Sequence, residues 1–213
     1  MAKIRLDQRV VELGLAESRT QAQALIIAGK VLDVNRQVLT KAGHQVREDF
    51  VVHLKEKLHP WVSRGGMKLS QAIEEFSIDC EGLVVADIGA STGGFTDVLL
   101  HHQAKKIFAV DVGYGQLAHK LRNHEHVIVL EKQNARYLTN AEITEPLDAI
   151  VCDASFISLK TLLGATMALT KPEAWMVALI KPQFEVGKGR VGKGGVVEDE
   201  ALHQEVCDDI KAW

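Results

Sequence analysis

The stretch VADIGASTGGF, residues 85–95, decides the fold of this chain. It begins as a short apolar run, and its glycines stand where a strand would turn into a helix. Such a turn brings backbone N–H groups and a helix N-terminus close to a bound ligand. We therefore expect a nucleotide-like cofactor beside Gly89, Ser91, Gly93 and Gly94.

Acidic residues near this turn narrow the choice of cofactor. Asp87 ends the first strand, where a carboxylate would repel the pyrophosphate of a dinucleotide but attract the ammonium group of S-adenosylmethionine. The spacing D-x-G-x-x-x-G-G also differs from the dinucleotide fingerprint G-x-G-x-x-G. Asp111 ends the next strand, where it can accept hydrogen bonds from ribose hydroxyls. Asn134 follows the third strand and is expected to contact the adenine edge or to form a turn.

Apolar runs separated by helical segments continue through the rest of the chain. This alternation predicts a doubly wound, mainly parallel sheet with helices on both faces, the Rossmann-like α/β class. The predicted strands are residues 83–86, 106–110, 127–130, 149–152 and 175–180. Ligands of such sheets bind at the carboxyl ends of the strands.

Charged residues follow the last two predicted strands. Asp153 comes directly after the fourth strand and Lys181 directly after the fifth, so the two emerge side by side if these strands are neighbours. A charge at that place is costly unless it is paired or functional. Lys68, at the start of the helix before the first strand, is a third candidate. We predict that these three residues are catalytic, with Lys181 held by Asp153 and Lys68 adding positive potential.

The N-terminal part has a different composition. Residues 1–66 carry 11 lysines and arginines against 7 acidic residues, whereas residues 67–213 carry 14 against 21. We predict a small α+β RNA-binding domain at 1–60, a linker at 61–66 and a catalytic domain at 67–213. The candidates for contacts with RNA phosphates are Arg5, Arg9, Arg19, Lys30, Arg36, Lys41 and Arg64.

Local signals give the helices of the first domain. Asp7 is expected to cap one short helix, and Ser18 with Gln21 has the form of a capping box at the start of a second. Gly29 should end that second helix. Later in the chain, the glycine- and lysine-rich run at 187–195 suggests a flap that orders over RNA.

Several classes of protein are disfavoured. No run approaches the about 18 to 20 apolar residues of a membrane-spanning helix, and the N-terminus does not have the form of a signal peptide, so we expect a cytoplasmic protein. Cys80, Cys152 and Cys207 lie far apart, which predicts neither a zinc site nor a disulfide framework. We expect no bound metal and no membrane partner, and the oligomeric state is left open.

Five motifs resemble known sequences, in the same order as in a known family. The catalytic part is similar to the FtsJ-like ribose 2′-O-methyltransferases, and the whole chain is similar to the TlyA, or hemolysin A, family. Residues 4–54 resemble the S4-type RNA-binding domain. The motifs are VSRGGMKL (62–69), DIGASTGGFTD (87–97), VDVGYGQL (110–117), CDASFISL (152–159) and LIKPQFE (179–185).

The resemblance implies a function and a set of site residues. The implied reaction is methylation of ribose 2′-hydroxyls from S-adenosylmethionine, usually at cytidines of ribosomal RNA or of ribosomal subunits. Lys68, Asp153 and Lys181 match the lysine, aspartate and lysine of the family. The fourth residue, a glutamate on a late strand, has no match at Glu185 or Glu198, and we expect the catalytic domain to be truncated at its C-terminus.

Other readings of the sequence are an RNA-binding protein without turnover, a membrane-active hemolysin and a nicotinamide-dependent dehydrogenase. Asp87 and the spacing of the glycines disfavour the dehydrogenase. No long apolar segment or strongly basic amphipathic helix favours the hemolysin. Base methylation instead of ribose methylation also stays open, since one fold hosts both reactions.

Overall fold

The computed structural model describes residues 3–16, 18–55 and 59–213 of the chain. They form two compact units, residues 1–58 and residues 59–213. Each unit has a hydrophobic core of its own, so we describe the two separately.

The first unit is a small α+β domain. Its helices are α1 (Leu6–Glu12) and α2 (Arg19–Ile27), and its short strands are β1 (Lys3–Arg5), β2 (Val31–Asp33), β3 (Gln45–Arg47) and β4 (Val52–Leu54). β1 pairs with β3 and β2 pairs with β4, both antiparallel. Apolar residues of both helices and of three strands pack together in the core, among them Leu6, Val10, Ile26, Val31 and Val46.

The predicted helix signals of this unit are partly right. Ser18 caps α2, since its side chain accepts the backbone N–H of Gln21 at 3.2 Å. Gly29 follows the end of α2 with a φ of 65°. The prediction that Asp7 caps α1 is wrong, because the cap residue is Arg5 and Asp7 lies inside the first turn, fully buried. Its carboxylate accepts hydrogen bonds from the guanidinium of Arg5 instead of from N–H groups of the helix.

The second unit is a five-stranded sheet with helices on both faces. Its strands are β5 (Val84–Ile88), β6 (Lys106–Asp111), β7 (Val127–Glu131), β8 (Leu147–Cys152) and β9 (Thr170–Ala178). Its helices are α3 (Gly65–Glu75), α4 (Gly94–His101), α5 (His119–Arg122), α6 (Leu159–Met167), α7 (Pro182–Glu185) and α8 (Glu200–Ala212). The strand order is β7-β6-β5-β8-β9 and every pairing is parallel, which confirms the predicted fold class.

The alternation of side chains along β5 builds a core on each face of the sheet. Ala86 and Ile88 pack on one side with α6, where Leu163 is fully buried. Val85 packs on the other side with α3 and α4, through residues such as Leu69. Because both faces are covered, the ligand-binding edge is left at the carboxyl ends of the strands.

Residues 61–66, predicted as a linker, belong to the second unit. Trp61 is buried in the core formed with α3 and α4. The glycine pair forms the start of helix α3 instead of a loop. Gly66 lies against Trp61, because an added Cβ would be 2.6 Å from that side chain. The N–H of Val62 donates to Asp97 at 2.8 Å, which attaches the segment to α4.

Candidate active site

A cleft of about 930 Å³ lies at the carboxyl ends of β5, β6 and β8. All residues that line it come from the second unit. Ten of the predicted site residues are among them, namely Arg64, Lys68, Asp87, Gly89, Ser91, Gly94, Asp111, Asn134, Asp153 and Lys181. The predicted cofactor turn and the predicted catalytic residues therefore share one cavity.

The glycine turn between β5 and α4 serves the cleft in two ways. Gly93 caps α4 with a φ of 91°, a backbone conformation that favours glycine. It does not line the cleft, and an added Cβ would collide with Leu121 and Leu117. Gly94 lines the cleft and lets α4 approach α3, because its Cβ would lie 2.7 Å from the backbone nitrogen of Gly66.

Asp87 is buried beneath this turn, only 1% exposed. Its Oδ2 accepts the Thr96 hydroxyl at 2.6 Å. Burial raises the pKa of Asp87 to about 7, with smaller contributions in the same direction from Asp111 and Asp153 and an opposing one from Thr96. A cationic ligand group in the cleft would stabilise the ionised carboxylate.

Asp111 shapes the opposite wall of the cleft. Its Oδ2 accepts the N–H of Ser91 at 2.8 Å, and its Oδ1 accepts the N–H of Gly113 at 2.7 Å. A carboxylate has about four acceptor positions, so both oxygens keep capacity for ribose hydroxyls. Gln116 also lines this wall and accepts the Ser91 hydroxyl at 3.2 Å. Sequence reasoning missed Gln116, because no spacing marked it.

Asn134 lines the cleft at the end of β7. Its Oδ1 accepts the N–H of Arg136 at 3.1 Å and so starts the short 3-10 turn Ala135–Tyr137. This is the turn role that the sequence left open. A contact of Asn134 with adenine stays a prediction.

Lys68, Asp153 and Lys181 meet in the cleft. Lys68 Nζ donates to Asp153 Oδ2 at 2.7 Å, and Lys181 Nζ lies 2.7 Å from Asp153 Oδ1. The second contact is an ion pair without hydrogen-bond alignment, since Oδ1 has no hydrogen-bond partner among the described residues. The hydrogen bonds of Lys181 go to the Ser155 hydroxyl at 2.9 Å and to the carbonyl of Asp153 at 3.1 Å.

The fold explains this convergence. β8 and β9 are neighbours, and Cys152 pairs with Ala178 near their carboxyl ends. Asp153 and Lys181 follow those residues closely and leave the sheet at the same edge. Lys68 lies in the first turns of α3, which packs against α4 beside the glycine turn.

The two glutamates left without a role in the sequence lie apart from this group. Glu185 Oε1 accepts the N–H of Leu159 at 2.9 Å, so it holds the N-terminus of α6. Glu198 is not among the residues that line the cleft.

Phe156 is a second cleft residue that sequence reasoning missed. It lies three residues after Asp153 on the cleft wall, is 90% exposed and has a φ of 69°. Its ring packs on Phe184 with centroids 5.3 Å apart. A non-glycine residue at positive φ is uncommon, and an exposed phenylalanine beside a cleft offers a flat apolar surface to a ligand. The only sequence signal was its place in the CDASF motif.

Two family models match the chain. The model of FtsJ-like methyltransferases matches residues 61–213, and the model of the S4 domain matches residues 4–52. The 16S/23S rRNA (cytidine-2'-O)-methyltransferase TlyA of Mycobacterium tuberculosis is 48% identical over 94% of this chain and 75% of that protein. The chain belongs to the TlyA family of FtsJ-like methyltransferases.

Two further comparisons support the assignment to the TlyA family. Hemolysin A of Brachyspira hyodysenteriae is 41% identical over 97% of this chain and 85% of that protein. A solved structure from Streptococcus thermophilus is 38% identical, has a TM-score of 0.72, and is matched over 100% of this chain and 78% of that one. The predicted family and its two component domains are thus confirmed.

The candidate RNA-binding residues of the S4 domain have different surroundings. Arg5 and Arg19 both contact the carboxylate of Asp7. Arg9 is largely buried, and its Nε donates to the carbonyl of Phe50 at 2.9 Å, which gives it a structural task. Lys30, Arg36 and Lys41 are exposed, and so is Arg19. Arg64 of the FtsJ-like domain lies on the wall of the cleft instead.

The glycine- and lysine-rich segment 187–195 contacts helix α8 of this chain. It contains two short 3-10 turns, Lys188–Arg190 and Lys193–Gly195. Arg190 makes two contacts of 2.6 Å with the carboxylate of Glu205 on α8. Ordering of this segment over RNA stays a prediction.

Within residues 3–16, 18–55 and 59–213, no group of three or more His, Cys, Asp or Glu side chains is arranged to hold a metal ion. In the same residues, no helix combines the length and apolar character needed to cross a membrane.

Proposed function

We propose that this chain transfers a methyl group from S-adenosylmethionine to the 2′-hydroxyl of a cytidine in ribosomal RNA. The contacts of Lys68, Asp153 and Lys181 in one cleft with the glycine turn are the observation that carries this proposal. The printed name of the Mycobacterium tuberculosis relative, an rRNA (cytidine-2'-O)-methyltransferase, supports the substrate. We place the reaction in the cytoplasm, on ribosomal RNA or on ribosomal subunits.

The cleft fits the cofactor in size and in chemistry. A volume of about 930 Å³ is within the range of small-molecule pockets, about 300 to 1,000 Å³. Asp87 would attract the ammonium group, Asp111 would accept the ribose hydroxyls, and Asn134 would contact the adenine edge. When bound, S-adenosylmethionine supplies a methyl group that its sulfonium has already activated.

The three charged residues would act on the nucleophile. A ribose hydroxyl is a weak nucleophile, so its attack needs a group that orients it and stabilises the charge that develops on its oxygen. Lys181 suits this task, because Asp153 and Ser155 fix its ammonium group in the cleft. Lys68 adds positive potential from the other side of Asp153. Correct placement of the hydroxyl supplies much of the remaining rate increase. The methyl group would move from sulfur to the ribose oxygen, and the proton that this oxygen loses would pass to water.

RNA would be held by charge and by one aromatic surface. Exposed lysines and arginines of the S4 domain would contact phosphates, which gives affinity and register. Phe156 would pack against a base near the reacting ribose, because stacking on an exposed ring is available to every base.

The first experiment measures transfer of labelled methyl from S-adenosylmethionine to ribosomal subunits and to free ribosomal RNA. Wild type is compared with Lys181→Ala, and the labelled nucleoside is identified after digestion. Lys171→Ala is a matched control, because Lys171 lies on β9 and pairs with Asp148 of β8 at 2.6 Å, at the other end of the same two strands. We expect 2′-O-methylcytidine from wild type and from Lys171→Ala.

The loss expected for Lys181→Ala is on the order of 100-fold or more in kcat, as for groups that stabilise charge developing in the transition state. Label on a base would contradict ribose methylation. Cofactor binding without any transfer by wild type would favour the RNA-binding protein without turnover.

A further inference from the structure

The S4 domain contains a buried carboxylate that the proposed reaction does not use. Asp7 is fully buried, and three side chains donate to it. Arg5 binds both oxygens, with Nε at 3.0 Å and Nη2 at 2.8 Å. Arg19 Nη2 lies 3.4 Å from Oδ2, and Gln23 Nε2 donates to the same oxygen at 2.7 Å. The guanidinium of Arg5, opposed only by burial, holds the pKa of Asp7 far below its usual range.

A second arginine–aspartate pair in the same domain shows what is particular about Asp7. Arg47 binds Asp49 with the same spacing of two residues, through Nε at 2.9 Å and Nη2 at 2.6 Å. The Asp49 side chain, however, is 60% exposed. An exposed pair of this kind contributes little to stability and is screened by salt. Asp7 differs because its side chain is fully buried and contacts two arginines, Arg5 and Arg19.

Both arginines keep donors for another ligand. Among the described residues, Arg5 hydrogen-bonds through Nε and Nη2 only, which leaves Nη1, a group that lies beside Gly43, and Arg19 hydrogen-bonds through Nη2 only. Each guanidinium carries five N–H donors in a rigid plane that matches a phosphate. Both side chains are about half exposed. Two cations and one anion leave one net positive charge at this place.

We propose that Asp7 is a positioning residue that fixes Arg5 and Arg19 as a paired site for one phosphate group of the RNA backbone. A free arginine loses rotational freedom when it binds phosphate, and a buried carboxylate removes that cost before the RNA arrives. Gln23 completes the anchor by filling another acceptor position of Asp7. The proposal rests on the proposed function only in taking RNA as the ligand.

The direction in which RNA affinity changes on substitution of Asp7 tests the proposal. Asp7→Asn adds one positive charge to the domain, and so does Asp49→Asn, the matched control. If RNA affinity depends only on net charge, both variants of the 213-residue chain bind ribosomal RNA somewhat more tightly. If Asp7 positions the arginines, Asp7→Asn binds about tenfold more weakly, a loss of about 1.4 kcal/mol, and Asp49→Asn does not.

A second pair of variants keeps the test valid if Asp7→Asn fails to fold. Arg5→Lys retains the charge but loses the bidentate contact with the carboxylate, and Arg47→Lys makes the same change in the control pair. We expect weaker RNA binding for Arg5→Lys alone. The slope of affinity against salt should change little for Arg5→Lys, because the positive charge is retained and only its geometry is lost.

Three readouts separate this proposal from the proposed function. Filter binding to free ribosomal RNA gives affinity and salt slope, calorimetry gives the affinity for S-adenosylmethionine, and methyl transfer gives KM and kcat. We expect Asp7→Asn to raise KM for RNA about tenfold with kcat and cofactor affinity unchanged. Unchanged RNA affinity in folded Asp7→Asn and Arg5→Lys overturns the proposal. Absence of methyl transfer in wild type overturns the proposed function, while the binding comparison still decides the role of Asp7.

Discussion

At the scale of single residues, Asp87 and Asp153 show how the surroundings decide what a carboxylate does. Asp87 is the penultimate residue of β5, and Asp153 directly follows the neighbouring strand β8, so both lie near the carboxyl edge of the sheet. Asp87 is buried without a cation, and its pKa rises to about 7. Asp153 lies between Lys68 and Lys181, which supply two positive charges. Asp87 is therefore suited to bind a cationic ligand group, whereas Asp153 already pairs with two lysines.

Cofactor affinity should depend on pH through Asp87. Below pH 7 the free protein holds a proton on this carboxyl, and binding of an ammonium group requires that the proton leave. Affinity for S-adenosylmethionine should therefore fall by up to about tenfold per pH unit below pH 7 and stay constant above it. Calorimetry between pH 5.5 and 8 measures the affinity, and buffers of different ionisation heat measure the released proton.

Asp87→Asn is the control for this pH dependence. The amide keeps an acceptor for Thr96 but cannot ionise, so its cofactor affinity should be low and independent of pH across the same range. A wild-type affinity that does not change between pH 5.5 and 7 would show that the ammonium group does not use Asp87.

Phe156 should combine backbone strain with a contact to RNA. A residue with a Cβ at its φ of 69° costs on the order of 1 to 2 kcal/mol, which glycine avoids. Phe156→Gly should therefore be more stable than Phe156→Ala by about 1 kcal/mol, as measured by urea unfolding. Both variants should raise KM for RNA, because both lack the ring. Equal KM values for wild type and the two variants would remove Phe156 from the RNA site.

At the scale of elements, the contact between α3 and α4 holds the cofactor turn in place. Gly94 of α4 lies so close to α3 that an added Cβ would meet Ser63 Oγ and the nitrogen of Gly66. This contact joins the segment that carries Lys68 to the turn that follows Asp87. Movement of α4 away from α3 would therefore change the cofactor turn and the catalytic group together.

Gly94→Ala should lower both stability and activity. The methyl group overpacks the helix contact, which costs about 1 to 3 kcal/mol. Gly164→Ala is the control, because Gly164 is an exposed residue of helix α6 with nothing within 4 Å of an added Cβ. It should be stabilised by about 0.5 to 1 kcal/mol. Urea unfolding measures the stability of both variants. Equal stabilities of Gly94→Ala and wild type would mean that α3 and α4 can separate without cost.

The sequence predicted the long elements better than the short ones. Five apolar runs became the five parallel strands, because buried strands need continuous apolar residues. Strands β1 and β3 were missed, since three residues give no clear alternation. The linker prediction failed because Pro60 and the glycine pair at 65–66 suggested a loop, whereas Gly66 serves the packing of Trp61.

The candidate site was predictable where chemistry follows the strand ends. Asp153 and Lys181 could be placed together from sequence, because parallel strands end at one edge of the sheet. Gln116 and Phe156 could not, since their places depend on loop conformations that no periodicity encodes. The burial of Asp7 was also hidden, because an acidic residue near a helix start usually caps the helix.

At the scale of the whole molecule, the two units divide the work between them. Each has its own core, and all residues lining the cleft belong to residues 59–213. The excess of basic residues lies in the N-terminal part of the chain, and the rest is acidic. A large field of negative charge on the catalytic part disfavours RNA, so the S4 domain should supply much of the attraction.

A fragment of residues 59–213 should keep the cofactor and lose most of the RNA affinity. In calorimetry, the fragment and the 213-residue chain should bind S-adenosylmethionine with the same affinity, because no residue that lines the cleft is removed. Methyl transfer should show a KM for RNA raised by about 100-fold or more, since the loss of two or more phosphate contacts costs about 3 kcal/mol. Full-length Lys181→Ala is the complementary control, with RNA affinity retained and turnover lost. If the fragment bound RNA as well as the full chain does, recognition would lie in the FtsJ-like domain, and Arg64 and Phe156 on the cleft wall would be the residues to change next.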